Sequence, residues 1–409
     1  MISAQEKPAV ERHGYLTADI PGCGGSIKET PEDFQVSEIP SYEPCGSGEH
    51  VYLTIEKRGI TTLEAIRRVA RELKVAERDV GYAGMKDSVG VTRQAISVPR
   101  IQPDGLAGQC LDGVTILSAK RHSNKLKLGH LKGNRFRIVV RGVAANAAEV
   151  AAAVFELLSR RGVPNWFGFQ RYGGQGNSHL IGAAMLRRDW RGAVDRLIGE
   201  PAAVRDEEWR SAIMAYQQGD IPEALRLMPR HCRGEREVLQ RLISRPDAWE
   251  KAFSVLHPRL KKLYLSAYQS SLFDRILEQR LTGIDQVMTG DLAIKHVNGA
   301  CFAVEELQQE VPRAAAFEIS ASGPMFGTKM KLPAGEVLVM EERVMSDEGL
   351  GLQHFDLGSG LRMEGERRPL RVPLGEPVSF VADDSLILEF SLPKGSYATS
   401  VVREITKNY

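Results

Sequence analysis

A lysine and an aspartate side by side among small residues, Lys86 and Asp87 in GYAGMKDSVGVTRQ (Gly81 to Gln94), are the first candidates for chemistry. Small residues let a ligand approach the backbone, and a carboxylate in such a loop can act as nucleophile or base. Aspartates next to glycines more often only shape turns, so residue type alone leaves both readings open. From Lys120 to Arg141 the chain carries Lys120, Arg121, Lys125, Lys127, Lys132, Arg135, Arg137 and Arg141 with no acidic residue. Solvated protein surfaces usually mix both signs, so this segment points to phosphate binding. PNWFGFQRYGGQGNSH (Pro164 to His179) sets Trp166, Phe167, Phe169 and Tyr172 among Asn165, Gln170 and Arg171. Rings interleaved with amides and an arginine suit stacking on an unstacked base and reading its edge, although the same rings could pack into a core. FSLPKGSYATSVVREI (Phe390 to Ile405) reads as a strand, a turn carrying Tyr397, and a helix start that holds Arg403 and Glu404.

The elements that must position these groups are mixed α and β. GSIKETPEDFQVSE (Gly25 to Glu38), polar and broken by Pro31, reads as an ordered loop leading into a strand. Val51, Leu53 and Ile55 alternate with polar neighbours as a strand does. Thr61 and Glu64 form a capping box ahead of Leu63, Ile66, Val69, Ala70 and Leu73, whose spacing predicts an amphipathic helix ending near Val75. A second helix is expected from about Ala145 to Arg160, with strands at Phe136 to Val140, Val378 to Ala382 and Leu386 to Leu392, the last two facing across Asp383-Asp384. The middle of the chain holds several helical runs, with strands expected around Phe317 to Ile319 and Val337 to Met340.

Bulk properties narrow the function classes. At 409 residues the chain exceeds one ordinary core of roughly 100 to 200 residues, so two domains are expected. With 43% hydrophobic and 26% charged residues it has a globular composition, and no period of 20 to 50 residues suggests a solenoid. The opening MISAQEKPAVERHG lacks the apolar core of a secretory signal, and no run of roughly 18 apolar residues follows, so a cytoplasmic protein without a membrane span is expected. Cys23, Cys45, Cys110, Cys232 and Cys301 lie far apart without a C-x-x-C pair, and the nine histidines show no metal spacing. Neither a phosphate loop of the G-x-x-x-x-G-K-[ST] form nor a G-x-G-x-x-G turn is present, so no metal and no cofactor are expected. The net charge of +2 says little, because nucleic-acid binding depends on where charge lies.

Taken together and in order, six segments resemble the TruD family of tRNA pseudouridine synthases. They are PEDFQVSE (Pro31 to Glu38), AGMKDSVGVTRQ (Ala83 to Gln94), KLKLGHLKGNRFRI (Lys125 to Ile138), NWFGFQRYG (Asn165 to Gly173), AYQSSLFDRIL (Ala267 to Leu277) and LPKGSYATSVVRE (Leu392 to Glu404). The resemblance implies an isomerase that converts uridine 13 of tRNA to pseudouridine without a cofactor, with Asp87 catalytic. It places substrate contacts on Phe34, Asn165 and Tyr397, with Lys28 and Phe167 in the same pocket. Lys125, Lys127, Lys132 and Arg135 are the expected phosphate contacts.

The fold it implies is α/β (α+β): a catalytic domain with a mixed or antiparallel sheet flanked by helices, formed by residues 1–188 and 372–409, around an inserted α/β domain at 189–371, with tRNA in the cleft. Protein partners are left open, with a monomer as the working expectation. The chain departs from the common family pattern in having Tyr397 where phenylalanine is frequent and a long stretch from Gly174 to Lys262 between two motifs. A catalytically silent RNA-binding protein and a carboxylate-dependent nucleoside hydrolase are the competing readings.

Overall fold

Val51, Leu53 and Ile55 are fully buried on one side of the strand His50–Arg58 in the computed structural model of the chain, which describes residues 13–408. The polar opening read for a targeting signal lies, as far as residue 12, outside the described residues. Against that strand face packs the helix Thr62–Glu72, through Ala65, Ile66, Val69 and Ala70. Thr61 caps this helix by accepting a hydrogen bond from the Glu64 backbone N–H at 3.1 Å. The Glu64 carboxylate instead binds Arg67 and Arg68 one turn on, so only one half of the expected capping box forms.

The described chain divides into two compact units, residues 17–163 with 372–408, and residues 13–16 with 164–371. The first holds a sheet of nine strands among the described residues, eight of them in the order Gly375–Ala382, Ser385–Pro393, Leu131–Arg141, Phe34–Pro40, Val91–Pro99, His50–Arg58, Val114–His122, Cys110–Leu111. Neighbours run antiparallel except Phe34–Pro40 and Val91–Pro99, which pair in parallel with Gln35 opposite Val91. The sheet is therefore mixed. The two strands read near the C-terminus do form a hairpin, with Ala382 opposite Ser385 and the turn carried by Asp383 and Asp384 at φ 47° and 58°. Helix Ala147–Arg161 supports the same half of the sheet, its Phe155 ring meeting Phe390 edge-on at 6.1 Å.

The second unit combines an antiparallel four-stranded sheet, ordered Cys301–Ala303, Leu292–Lys295, Ile319–Met325, Glu366–Pro369, with helices that include the 23-residue Pro258–Arg280. Two expectations fail here. Val337 to Met340 is not a strand but part of the helix Gly335–Asp347, which buries Val337, Glu341, Val344 and Met345 at helical spacing. A short apolar run carries no period of its own, and Glu341 supplied no apolar signal because its burial depends on an ion pair with Arg367 at 2.7 Å. The strand expected at Phe317 to Ile319 begins only at Ile319, since Phe317 adopts φ 56°. No helix among the described residues is long and apolar enough to cross a membrane.

Candidate active site

Asp87 sits on the loop that feeds the strand Val91–Pro99, and its neighbour Lys86 is bonded both to the first helix and to the sheet. The Lys86 backbone N–H donates to Thr62 Oγ1 at 2.8 Å, and the Thr62 hydroxyl donates to Gln94 Oε1 at 3.0 Å, with Thr62 and Gln94 both buried. Gly90 leaves the loop against Phe34, where a Cβ would come within 2.5 Å of the Phe34 carbonyl oxygen, so only glycine fits without movement. Lys86 and Asp87 point in opposite directions. The Lys86 ammonium turns inward to Glu38 at 2.8 Å, the two side chains being 4% and 3% exposed, and donates to Asn134 Oδ1 at 2.8 Å. Asp87 turns outward enough to stay 15% exposed.

The Asp87 carboxylate is held at both oxygens. Oδ2 accepts from the Lys28 ammonium at 2.5 Å, and Oδ1 accepts from the Val89 backbone N–H at 3.2 Å, the short local turn that aspartate favours. Lys28 adopts φ 63°, a conformation uncommon outside glycine, and its ammonium lies 4.1 Å from the centroid of the Phe34 ring. Phe34 itself is buried, its ring tilted against that of Phe136 with centroids 6.3 Å apart. Behind the loop, Lys57 donates to the backbone carbonyls of Ile60 at 2.6 Å and of Asp87 at 2.7 Å. Burial pulls the Lys57 ammonium down to about 8; Lys86 lowers it further, while the Asp87 charge opposes that fall. Lys28 thus pairs with the accessible carboxylate itself, while Lys57 holds the loop backbone behind it. An ionised, cation-stabilised carboxylate of this kind can attack an electrophilic carbon or accept a proton.

Tyr397 lies in the same unit, half-buried in the turn between the strand Ser385–Pro393 and the helix Thr399–Thr406. That turn is pinned to the basic segment by the Lys394 backbone N–H, which donates to the Lys132 carbonyl at 3.0 Å, and by Lys394 Nζ, which donates to the Gly129 carbonyl at 2.9 Å. Within the basic segment, several cations are already engaged. Arg135 pairs with Glu376, Arg137 with Glu389 at 3.1 Å and Arg141 with Asp33 at 2.7 Å, while Lys125 donates to the Arg78 carbonyl at 2.8 Å. Lys127 and Lys132 are exposed and form no ion pair among the described residues. The acids that pair with the arginines come from other strands and turns, which is why a linear reading of the segment did not find them.

Asn165 and Phe167 belong to the second unit. Asn165 is buried; its Nδ2 donates to the Pro369 carbonyl at 2.8 Å and its Oδ1 accepts from Arg368 at 2.6 Å. One N–H and one lone pair of the amide remain beyond these bonds. The Arg368 guanidinium lies 4.2 Å from the Phe167 centroid, and the Phe167 backbone N–H donates to Asp274 Oδ1 at 3.1 Å. Phe167, Arg171, Gln269, Arg367 and Arg368 line a cavity of 460 Å³. Trp166 and Tyr172, by contrast, are buried, so half of the aromatic cluster does pack as core. Lys57, Glu38 and Arg368 were not singled out from the sequence. A cation at 57, two residues beyond the inward-facing Val51, Leu53 and Ile55, was a readable signal for the first of them.

Comparison with known proteins agrees over nearly the whole chain. The sequence model of the family tRNA pseudouridine synthase D (TruD) matches residues 10–405. A tRNA pseudouridine synthase D of Geotalea daltonii is 63% identical over 397 residues, covering 97% of this chain and all of the relative, and one of Geobacter metallireducens is 62% identical over 393 residues, covering 96% and 97%. The crystal structure of the putative tRNA pseudouridine synthase D of Methanosarcina mazei superposes with a TM-score of 0.82 at 27% identity, covering 96% of each chain. The loop built around Asp87 therefore stands in a chain that belongs to the tRNA pseudouridine synthase D (TruD) family.

Proposed function

We propose that this protein isomerises uridine 13 of tRNA to pseudouridine in the cytosol, with Asp87 as the catalytic carboxylate. The observation that carries this reading is the Asp87 side chain itself, 15% exposed and ion-paired to Lys28 at 2.5 Å on a loop fixed from behind. In the reaction the C1′–N1 bond of the nucleotide breaks, the uracil turns, and C1′ joins C5; the proton at C5 is lost and N1 gains one. No atom or electron is gained or lost overall, so the chemistry asks for no redox or group-transfer cofactor. An ionised aspartate can open it by attacking the sugar or the base, or by removing a ribose proton.

The target uridine must leave its stack, at a cost of a few kcal/mol. A ring that stacks on it offsets about 1 to 3 kcal/mol of that. Tyr397, on its pinned turn, is the ring assigned to this task. Phe34, buried beneath Lys28, serves as the floor that orients the lysine. By family resemblance Asn165 and Phe167 also contact the substrate, Asn165 through the amide capacity left beyond Pro369 and Arg368. Lys127 and Lys132 are the phosphate contacts, with Lys125 and Arg135 available to join them if they exchange the Arg78 carbonyl and Glu376 for RNA.

The test is incubation of purified protein with an unmodified tRNA transcript, followed by carbodiimide mapping and mass spectrometry of the product. Pseudouridine at position 13 with unchanged RNA mass is expected. An abasic site would identify a nucleoside hydrolase, and an unchanged transcript bound with high affinity would identify a silent RNA-binding protein.

A further inference from the structure

Strand His50–Arg58 buries every second side chain against the first helix, and the last inward position is occupied by Lys57, 1% exposed, where an aliphatic residue would complete the pattern. Across the sheet it faces Thr92 on one neighbouring strand and Val114 on the other, neither of which can neutralise it. Lys57 forms no ion pair among the described residues. Its ammonium donates instead to two carbonyl oxygens, Ile60 at 2.6 Å and Asp87 at 2.7 Å. Burying a lysine without a carboxylate partner is costly, so the arrangement asks what the charge does there. The charged groups around it are Asp87 and Lys86 from the catalytic loop, with Lys28 beyond Asp87 and Glu38 beyond Lys86; the packed faces of the helix and the adjoining strands present none.

We infer that Lys57 is a positioning residue for the reaction: its buried ammonium clamps the peptide carbonyl of Asp87 to the helix entry at Ile60, while Lys28 holds the carboxylate. Asp87 is thus fixed at its backbone oxygen by one lysine and at its side-chain oxygen by another. The backbone clamp acts from the side away from solvent, so it constrains where the carboxylate points without occupying the space a nucleotide needs. The charge also lies behind the carboxylate as a second fixed positive pole, which favours the ionised aspartate that the reaction starts from.

The clamp has a pH signature. The Lys57 ammonium, pulled down to about 8 by burial, loses its proton as the pH rises past that value, and its bonds to the two carbonyls lose their ionic strength. Activity should then fall above about pH 8. Stability should move the other way: the folded protein holds fewer protons than the unfolded chain between about 8 and the ordinary lysine range, so this group makes folding more favourable as pH rises through that window. A merely structural lysine would make activity follow stability.

The inference rests on the isomerase reading, and its failure leaves wild-type activity intact, whereas failure of that reading removes the wild-type signal altogether. The experiment measures single-turnover conversion of saturating tRNA from pH 6.5 to 9 for wild type, Lys57→Met and Lys57→Arg, with tRNA affinity and thermal unfolding measured alongside. Wild type should lose severalfold in turnover above pH 8. Lys57→Met should be at least tenfold slower at pH 7 with no further loss on the alkaline side, and with tRNA affinity within about twofold of wild type. Lys57→Arg, whose guanidinium stays charged, should recover part of the rate and hold it to pH 9. A wild-type rate that is flat to pH 9 overturns the inference however the variants fold. So does an alkaline loss of the same midpoint in all three proteins, which would belong to the uridine imide, or a Lys57→Met rate within twofold of wild type at pH 7.

Discussion

The inward-facing half of the Lys86-Asp87 pair permits a sharp stability prediction. Lys86 Nζ lies 2.8 Å from Glu38 Oε2, with the two side chains 4% and 3% exposed. Among the described residues Glu38 Oε2 accepts no well-directed hydrogen bond and Oε1 accepts from the Ala95 backbone N–H at 3.4 Å, so the compensation of this buried charge rests on Lys86. Lys86→Met keeps the unbranched shape of the side chain and removes the cation. Breaking a buried pair from one side typically costs about 3 to 5 kcal/mol, because the remaining charge stays desolvated. For a folding unit of this size each kcal/mol lowers Tm by about 2 to 4 °C, so a fall of roughly 6 to 20 °C is expected for the unit that carries the sheet. Removing both charges with Lys86→Met and Glu38→Leu should restore most of that loss, since an apolar pair of similar volume is often as stable as the ion pair. Urea or thermal unfolding, followed by hydrogen exchange in the strand Val91–Pro99 to identify the unit, provides the assay. A single mutant within about 1 kcal/mol of wild type, or a double mutant less stable than the single, would refute the reasoning.

Two further predictions concern the RNA. Tyr397→Ala should slow conversion by about tenfold or more while changing tRNA affinity little, because one stacking ring contributes about 1 to 3 kcal/mol after the phosphate contacts have formed, and Tyr397→Phe should be nearly silent; equal defects in both variants would assign the role to the hydroxyl. Replacing Lys127 and Lys132 together by alanine should flatten the log-log salt dependence of tRNA binding by about 1.4 to 1.8, raise the apparent KM and leave single-turnover chemistry with saturating tRNA unchanged, whereas parallel salt plots would move the RNA track elsewhere.

How much of this could be read in advance depended on whether a signal was local. The hairpin across Asp383-Asp384 and the helix after Thr61 announce themselves by period and by turn residues, and both form within about three residues of the expected bounds. The segment Val337 to Met340 did not, because four apolar residues fit either period and the helix is set by what Glu341 and Val344 meet in three dimensions. Asp87 could be named only through the family resemblance, since its residue type and glycine neighbours also describe an ordinary turn. The partners that make its environment, Lys28, Lys57 and Thr62, are 59, 30 and 25 residues away in the chain, and no spacing rule links them. The basic segment illustrates the converse. Its eight cations lie within one short segment, but Arg135, Arg137 and Arg141 are matched by acids from distant positions, leaving Lys127 and Lys132 among its exposed lysines without an ion pair among the described residues.

Release of tritium from tRNA labelled at C5 of uridine, measured under single-turnover conditions with Asp87→Asn, tests the central claim most directly. The amide keeps the size and polarity of the side chain but cannot act as nucleophile or base, so turnover should fall by at least about a thousandfold while tRNA affinity stays close to wild type. Residual turnover within about tenfold of wild type would contradict the assignment of Asp87 as the catalytic carboxylate.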